Sequence, residues 1–313
     1  MTGFTVLSPG ILSLLQDSGR YGYSNIGLTT GGPLDAWSFN WANRLLQNAA
    51  DATAIEISIG GLQLQAGIDT FFCVCGAEIP LQVNGEPKAL WTVHKIHRGD
   101  KIALGMAGKG LRAYLAVAGG FQVTPQFGST ATVLREGVGG LNGQKLQAAD
   151  IIAANPGKAS AGLSLPAEFQ PRFSQIVPLR LVEGYQINAF SLAERQRFYR
   201  SEYQITPQAD RMGYKLSGTA IECQQRTLLS EGICYGAVQI PPDGQPIVLL
   251  NDRQTLGGYP KMGTVLSQDL WQLAQAGPGA RVYFRPISAQ EAHYAMKLAR
   301  IRFNAIAQQL VNV

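Results

Sequence analysis

Asn-Gly and Asp-Gly dipeptides recur between short apolar runs, and this pattern limits the fold more than any other feature of the chain. Asn84-Gly85 divides EIPLQVNGEPKAL, Asn142-Gly143 divides GLNGQKLQAADIIA, and Asp243-Gly244 divides GAVQIPPDGQPIVLLND. Such pairs tolerate the positive φ that a tight hairpin demands. Further apolar runs, GLRAYLAVAGGF, PLRLVEG and ARVYFRPI, have strand length and are closed by glycine or proline. Short strands at this spacing predict barrels or sandwiches. The composition agrees, since 36 Gly, 16 Pro and only 15% charged residues suit a turn-rich sheet protein better than a helical one.

At 313 residues the chain exceeds one typical domain. The stretch ANPGKASAGLSLPAEFQPRFSQ breaks the strand rhythm with Pro, Gly and small residues. It predicts a first domain over 1–155, a linker over 156–177 and a second domain over 178–313. Two helices interrupt the strands. In GPLDAWSFNWANRLLQN, Leu34, Trp37, Trp41, Ala42 and Leu45 fall on one stripe, and Pro33 suits the first helical turn. In the C-terminal SAQEAHYAMKLARIRFNAIAQQL, Ser288 followed three residues later by Glu291 has the form of a capping box. Both apolar faces are read as packing surfaces.

Several function classes find little support. The net charge of +5 includes no run of Lys and Arg, so no stripe tracks nucleic-acid phosphates. The four cysteines, Cys73, Cys75, Cys223 and Cys234, sit in apolar surroundings, Cys73 and Cys75 alternate along TFFCVCGAE, and His94, His97 and His293 supply no second ligand pair; reduced, buried thiols are expected at all four rather than a metal site. The N-terminus lacks a basic leader, and no apolar run approaches the roughly 20 residues of a membrane span, which makes the cytoplasm the expected compartment. Neither glycine pair is followed by Gly-Lys-Ser/Thr, so no P-loop is present. Ala295-Met296-Lys297 matches the core of a biotin acceptor, but Lys297 sits in a helical pattern rather than at a hairpin tip, and no bound biotin is expected.

Polar chemistry concentrates in QDSGRYGYSNIG, QADRMGYKLSG, LLSEGICYGAVQIPPDGQP and NDRQTLGGYPK. Asp17 with Arg20, and Asp210 with Arg211, can be read as surface pairs; the density of the remaining groups favours a site. Gln239, Asp252, Arg253, Gln254, Thr255 and Tyr259 bracket apolar strands, so they can converge at strand ends beside Gly257 and Gly258. Such a group suits a small polar substrate of amide or carboxylate character.

On these stretches, together with AIEISIGG, YLAVAGGF and LAQAGPGARVYF, the chain resembles the allophanate hydrolase subunit 2 family over nearly its whole length. This family is also called KipA-like or biotin-dependent carboxyltransferase. Two departures stand out: Tyr185 in VEGYQ occupies a usual proline position, and Ala131 in GSTAT replaces a usual serine. The resemblance implies a mainly β fold of two cyclophilin-like β-barrel domains with a few helices, including the C-terminal one. It also implies the branch that serves ATP-dependent 5-oxoprolinases, which open 5-oxo-L-proline to L-glutamate. Partners would be a KipI-like protein, related to allophanate hydrolase subunit 1, and a LamB/YcsF-like protein, with ATP and Mg²⁺ handled in the complex. Asp252, Arg211 and Tyr259 are then the candidate catalytic residues, with Asp252 holding Mg²⁺ or accepting a proton. Gln239, Arg253, Gln254, Thr255, Gly257 and Gly258 are the candidate substrate-binding residues. The same family leaves open a carboxyltransferase component of a urea-type carboxylase, or an antagonist of a kinase inhibitor.

Overall fold

The computed structural model describes residues 3–225 and 228–312. The chain is mainly β, and two compact units share it. One takes Met1–Tyr21, Gly31–Phe173 and Asn304–Val313; the other takes Gly22–Thr30 and Ser174–Phe303. The chain crosses between them four times, and only the crossing from Phe173 to Ser174 falls inside residues 156–177. That stretch carries structure: Leu163–Ser164 pairs with Val311–Asn312, Leu165 is fully buried, and Ile176 opens a long strand.

In the first unit two antiparallel sheets share one core. The six-stranded sheet runs Ile151–Ala153, Gly3–Pro9, Leu62–Ala66, Lys101–Leu104, Leu81–Val83, Glu86–Lys88. The five-stranded sheet runs Leu12–Gln16, Ala54–Ser58, Lys109–Val117, Thr70–Glu78, His94–Ile96. Phe4, Val6, Leu64 and Ile102 from one meet Leu15, Ile55, Val74 and Leu115 from the other. Asn84 and Gly85, at φ 52° and 86°, make the expected two-residue hairpin between Leu81–Val83 and Glu86–Lys88. Cys73 and Cys75 share a face, as a strand requires of residues two apart. Their sulfurs lie 3.6 Å apart, fully buried and unoxidised, and burial pushes the Cys75 thiol well above its ordinary range. Cys223 is only half-buried and Cys234 is exposed, so the expectation of burial fails for the second pair, which lies in loops and not on a core strand.

The first helix spans Ala36–Leu45 and is capped by Asp35, whose Oδ1 accepts from Ser38 N at 3.0 Å. Pro33 and Leu34 therefore precede the helix instead of opening it. Phe39, Trp41, Ala42 and Leu45 form its buried face, and Trp37 is only half-buried, edge-to-face with Trp41 at 6.1 Å.

The second unit closes a barrel in the order Ile176–Glu183, Lys261–Val265, Ala237–Gln239, Ile247–Leu249, Gly213–Gly218, Tyr203–Ala209, Arg281–Ile287. The last strand returns to the first in parallel register, Val177 opposite Val282, so the barrel has no free edge. Helix Leu192–Arg200 seats Phe198 on Phe284 at 4.5 Å, stacked. Asp269 accepts from Arg180 N, Nε and Nη2 at 2.8, 2.9 and 2.6 Å, tying the first barrel strand to helix Leu270–Gln275.

Two elements of the second unit differ from their sequence expectation. Asp243-Gly244 lies in a wide loop, not a tight hairpin: Gln239 already pairs with Ile247, and only Gly244 has positive φ, at 72°. The C-terminal helix, Ala289–Ile306, has the capping box, with Ser288 N donating to Glu291 Oε2 at 2.7 Å and Glu291 N to Ser288 Oγ at 3.1 Å. Its apolar stripe is less a packing face than expected, because Tyr294, Leu298 and Ile301 are exposed while Ala292 and Ile306 are buried. Lys297 lies within this helix, as its periodicity predicts.

Candidate functional site

A buried ion pair of the second unit forms where two barrel strands end. Between Tyr203–Ala209 and Gly213–Gly218 the chain turns through Asp210, whose Oδ1 accepts from Met212 N and Gly213 N at 2.7 and 3.2 Å. Asp210 is thus consumed by its own turn and does not pair with Arg211. Beyond Ile247–Leu249 the ladder continues, with Leu250 N donating to Met212 O and Asp252 N to Arg211 O, both at 2.9 Å. Arg211 and Asp252 are held side by side by backbone alone.

Their side chains then close a fork. Arg211 Nε donates to Asp252 Oδ2 at 2.8 Å and Nη2 to Oδ1 at 2.9 Å, with both side chains only 7% exposed. Two parallel charge-assisted bonds fix the guanidinium plane as well as its position. Each carboxylate oxygen is engaged, so Asp252 fits the orientation of Arg211 better than the ligation of a metal. No group of three or more His, Cys, Asp or Glu among the described residues could hold one.

Arg253 faces the backbone. Its Nε donates to Ile233 O at 3.1 Å and its Nη1 to Leu250 O at 3.2 Å, with the guanidinium carbon 6.0 Å from the Tyr235 ring centroid. Ile233 N in turn donates to Thr255 O at 3.0 Å. Arg253 thereby anchors the segment around Ile233 to the strand end that carries Asp252. Gln254 and Thr255 are half-buried beside it, and Tyr259 is exposed.

Gly257 and Gly258 serve close approach rather than bending, since neither has positive φ. Gly257 pairs with Glu231 in a two-residue ladder, and a Cβ on it would stand 2.4 Å from Ile233 Cδ1 and 3.0 Å from Gln239 Nε2. A Cβ on Gly258 would meet Leu228 O at 2.8 Å. Gln239 is buried, and its Nε2 has no hydrogen-bond partner among the described residues.

Opposite Gln239 in the barrel stands Lys261, also buried, and around it is a cluster that the sequence does not single out. Glu231 accepts from Lys261 Nζ, from Tyr185 OH and, at 2.7 Å, from Gln186 Nε2. Gln186 Oε1 accepts from Lys261 N at 2.8 Å, which fixes the amide with its nitrogen toward the carboxylate. Desolvation works to raise the Glu231 carboxyl, but the bonds from Lys261, Tyr185 and Gln186 outweigh it and hold the group below its ordinary value. The Glu231 hydrogen bond raises the Tyr185 hydroxyl. A lone Glu in LLSEG and a lone Lys in YPK carry no spacing signal; only the barrel register brings them together.

The predicted residues therefore fall into two neighbouring groups. Arg211 pairs with Asp252, beside Arg253, Ile233 and Thr255, and Gln239 and Gly257 lie with Lys261 and Glu231, while the side chains of Gln254 and Tyr259 hydrogen-bond with neither group among the described residues. In the first unit, QDSGR builds a loop support instead of a surface pair. Asp17 accepts from Gly19 N, Ser129 Oγ and Thr130 N at 2.9, 2.6 and 2.7 Å, and Arg20 donates to the Gln126 and Ala131 carbonyls at 3.0 and 3.1 Å. Ala131 is fully buried there. No helix among the described residues is long and apolar enough to cross a membrane.

Comparison with known proteins fits these features into a family. The model of the carboxyltransferase domain, subdomain A and B, matches residues 26–286. The chain is 34% identical over 310 residues to the C subunit of 5-oxoprolinase from Escherichia coli, covering 98% of each protein. It is also 34% identical to the C subunit of 5-oxoprolinase from Haemophilus influenzae, covering 89% of each. Among solved structures, urea amidolyase of K. lactis superposes with a TM-score of 0.88 at 27% identity, over 93% of this chain and 19% of that one. The chain belongs to the carboxyltransferase domain family, subdomains A and B, in the company of proteins named as the C subunit of 5-oxoprolinase.

Proposed function

We propose that this chain is one component of an ATP-dependent 5-oxoprolinase, acting with a KipI-like protein and a LamB/YcsF-like protein in the cytoplasm. The observation that carries the reading is end-to-end coverage. The match takes in 98% of this chain and 98% of its E. coli relative. Identity favours it too, at 34% to that relative against 29% to the urea amidolyase of Lachancea kluyveri.

The chemistry asks for what the site offers. Amide resonance makes a lactam a poor electrophile. Transfer of the ATP γ-phosphoryl group to its oxygen releases ADP and supplies the activation; one water then adds to the carbon, the ring C–N bond breaks with a proton passing to the amine, and a second water hydrolyses the resulting acyl phosphate to phosphate and L-glutamate. Negative charge builds on oxygen, and a fixed guanidinium answers it without reorganisation. Arg211 has that role and Asp252 orients it, and the exposed Tyr259 is assigned a catalytic part with them. Gln239, Gln254 and Thr255 position the amide and carboxylate groups of the substrate, while Arg253, Gly257 and Gly258 shape the backbone around them. ATP with Mg²⁺ is assigned to the complex. This sequence has no P-loop motif, and Asp252 is better suited to Arg211 than to a metal.

The test is reconstitution. Purified chain mixed with its KipI-like and LamB/YcsF-like partners should release ADP only when 5-oxo-L-proline is present, and omission of any one protein should abolish release. ADP release that ignores 5-oxo-L-proline would remove the proposal.

A further inference from the structure

We propose that Lys261, Gln186, Tyr185 and Gln239 form a carboxylate-binding subsite that Glu231 of the same chain fills, and that the carboxylate of a small acid substrate takes its place. The assignment of that acid as 5-oxo-L-proline rests on the function proposed above.

The argument begins with the donors. Lys261 Nζ, Gln186 Nε2 and Tyr185 OH all converge on one carboxylate, from one barrel strand and the turn after Ile176–Glu183. That is a cationic donor, an amide donor and a hydroxyl donor around a single anion, the composition a protein uses to hold an acid. Gln186 is oriented for the purpose by the backbone of Lys261 itself.

Burial then separates the cation of the cradle from its occupant. Lys261 is 8% exposed as a residue, whereas the Glu231 side chain is 29% exposed and sits on a two-residue ladder with Leu256–Gly257. Lys261 belongs to the barrel, and Gln186 and the exposed Tyr185 to the turn after its first strand; the carboxylate that they hold comes from a two-residue ribbon. A rotamer change returns Glu231 to water, and the cation stays where it is.

One donor is left over. Gln239 is 1% exposed, faces Lys261 across the ladder, and its Nε2 has no partner among the described residues. Directly opposed residues share a face, so this amide belongs to the same neighbourhood. It lies 3.0 Å from the empty Cβ position of Gly257, the ladder partner of Glu231. A buried donor without an acceptor is costly unless something arrives to use it. A ligand carboxylate or lactam oxygen does so, and Glu231 does not.

The test is titration calorimetry on the full-length chain with 5-oxo-L-proline, with acetate, and with 2-pyrrolidinone, which has the lactam but no carboxylate. Glu231→Gln and Glu231→Ala, checked for native circular dichroism, should bind both carboxylates about tenfold more tightly than the parent chain and leave 2-pyrrolidinone unchanged. Adding Tyr185→Phe to Glu231→Gln should take back most of that gain, and Tyr185 is exposed enough for the change not to threaten folding. A folded Glu231→Gln chain with no gain for either carboxylate overturns the proposal, whatever the reconstituted complex turns over. A gain for acetate without any 5-oxo-L-proline turnover in the complex upholds the subsite and removes the substrate assignment.

Discussion

Arg211 and Asp252 meet in a two-bond fork, 2.8 and 2.9 Å, that backbone pairing positions before either side chain contributes. Removal of one partner of a buried, hydrogen-bonded ion pair costs about 3–5 kcal/mol, whereas replacement of both by apolar groups of similar size is often neutral. Asp252→Ala should therefore lower the free energy of urea unfolding by about that amount, not leave the fold untouched. The double variant Arg211→Met, Asp252→Leu should regain most of the stability. Both should lose coupled turnover by roughly 100-fold or more, because the fixed guanidinium is gone. If the double variant is as unstable as the single one, the fork is not the source of the cost.

Two glycines in neighbouring elements should respond differently to a methyl group. On Gly257 the new Cβ meets side-chain ends, Ile233 Cδ1 and Gln239 Nε2, which can shift. On Gly263 it meets the Val182 carbonyl oxygen at 2.2 Å, inside the barrel ladder, where backbone cannot yield cheaply. Gly257→Ala should cost about 1–3 kcal/mol, and Gly263→Ala more than that. Thermal melts of the two variants rank them, and equal losses would contradict the geometry.

The parts of this molecule that the sequence reveals are those governed by local rules. The Asn84-Gly85 hairpin and the Ser288, Glu291 cap each depend on residues within a few positions of one another, and both form as read. The sequence offers Arg211 its neighbour Asp210 as a partner, yet Asp210 satisfies its own turn and the true partner lies 41 residues away. Glu231, Lys261 and Gln186 escape notice for the same reason. A barrel register sets their distance, and no short spacing records it. The helix near Pro33 starts late because Asp35 offers a better cap than proline offers a first turn.

The capping box gives a local prediction. Ser288 Oγ and Glu291 satisfy each other's backbone N–H groups at the start of Ala289–Ile306. Ser288→Ala should cost about 1 kcal/mol. Hydrogen exchange should quicken at the amides of residues 289–292 and stay unchanged in the barrel. Uniform quickening throughout the second unit would mean that this helix is cooperative with the barrel rather than fraying by itself.

The Glu231 cradle predicts a pH dependence with a definite sign. Its carboxyl is held below the ordinary value of 4.5 in the folded chain, so the folded state binds that proton more weakly than the unfolded state does. Stability from this group is fully present above the ordinary value and is lost as pH falls through the depressed one. Asp100, Asp243 and Glu291 are depressed as well, so acid will weaken the parent chain through several groups at once. The difference between the parent and Glu231→Gln isolates one of them, because the other three are common to both proteins. At pH about 7 the parent should melt higher, and the gap should narrow as pH falls below the ordinary value of 4.5. A gap that does not change with pH would mean that Glu231 contributes through packing and not through its charge. That outcome would leave the proposed exchange with a substrate carboxylate without its driving force, since only a charged occupant competes with a charged ligand for Lys261.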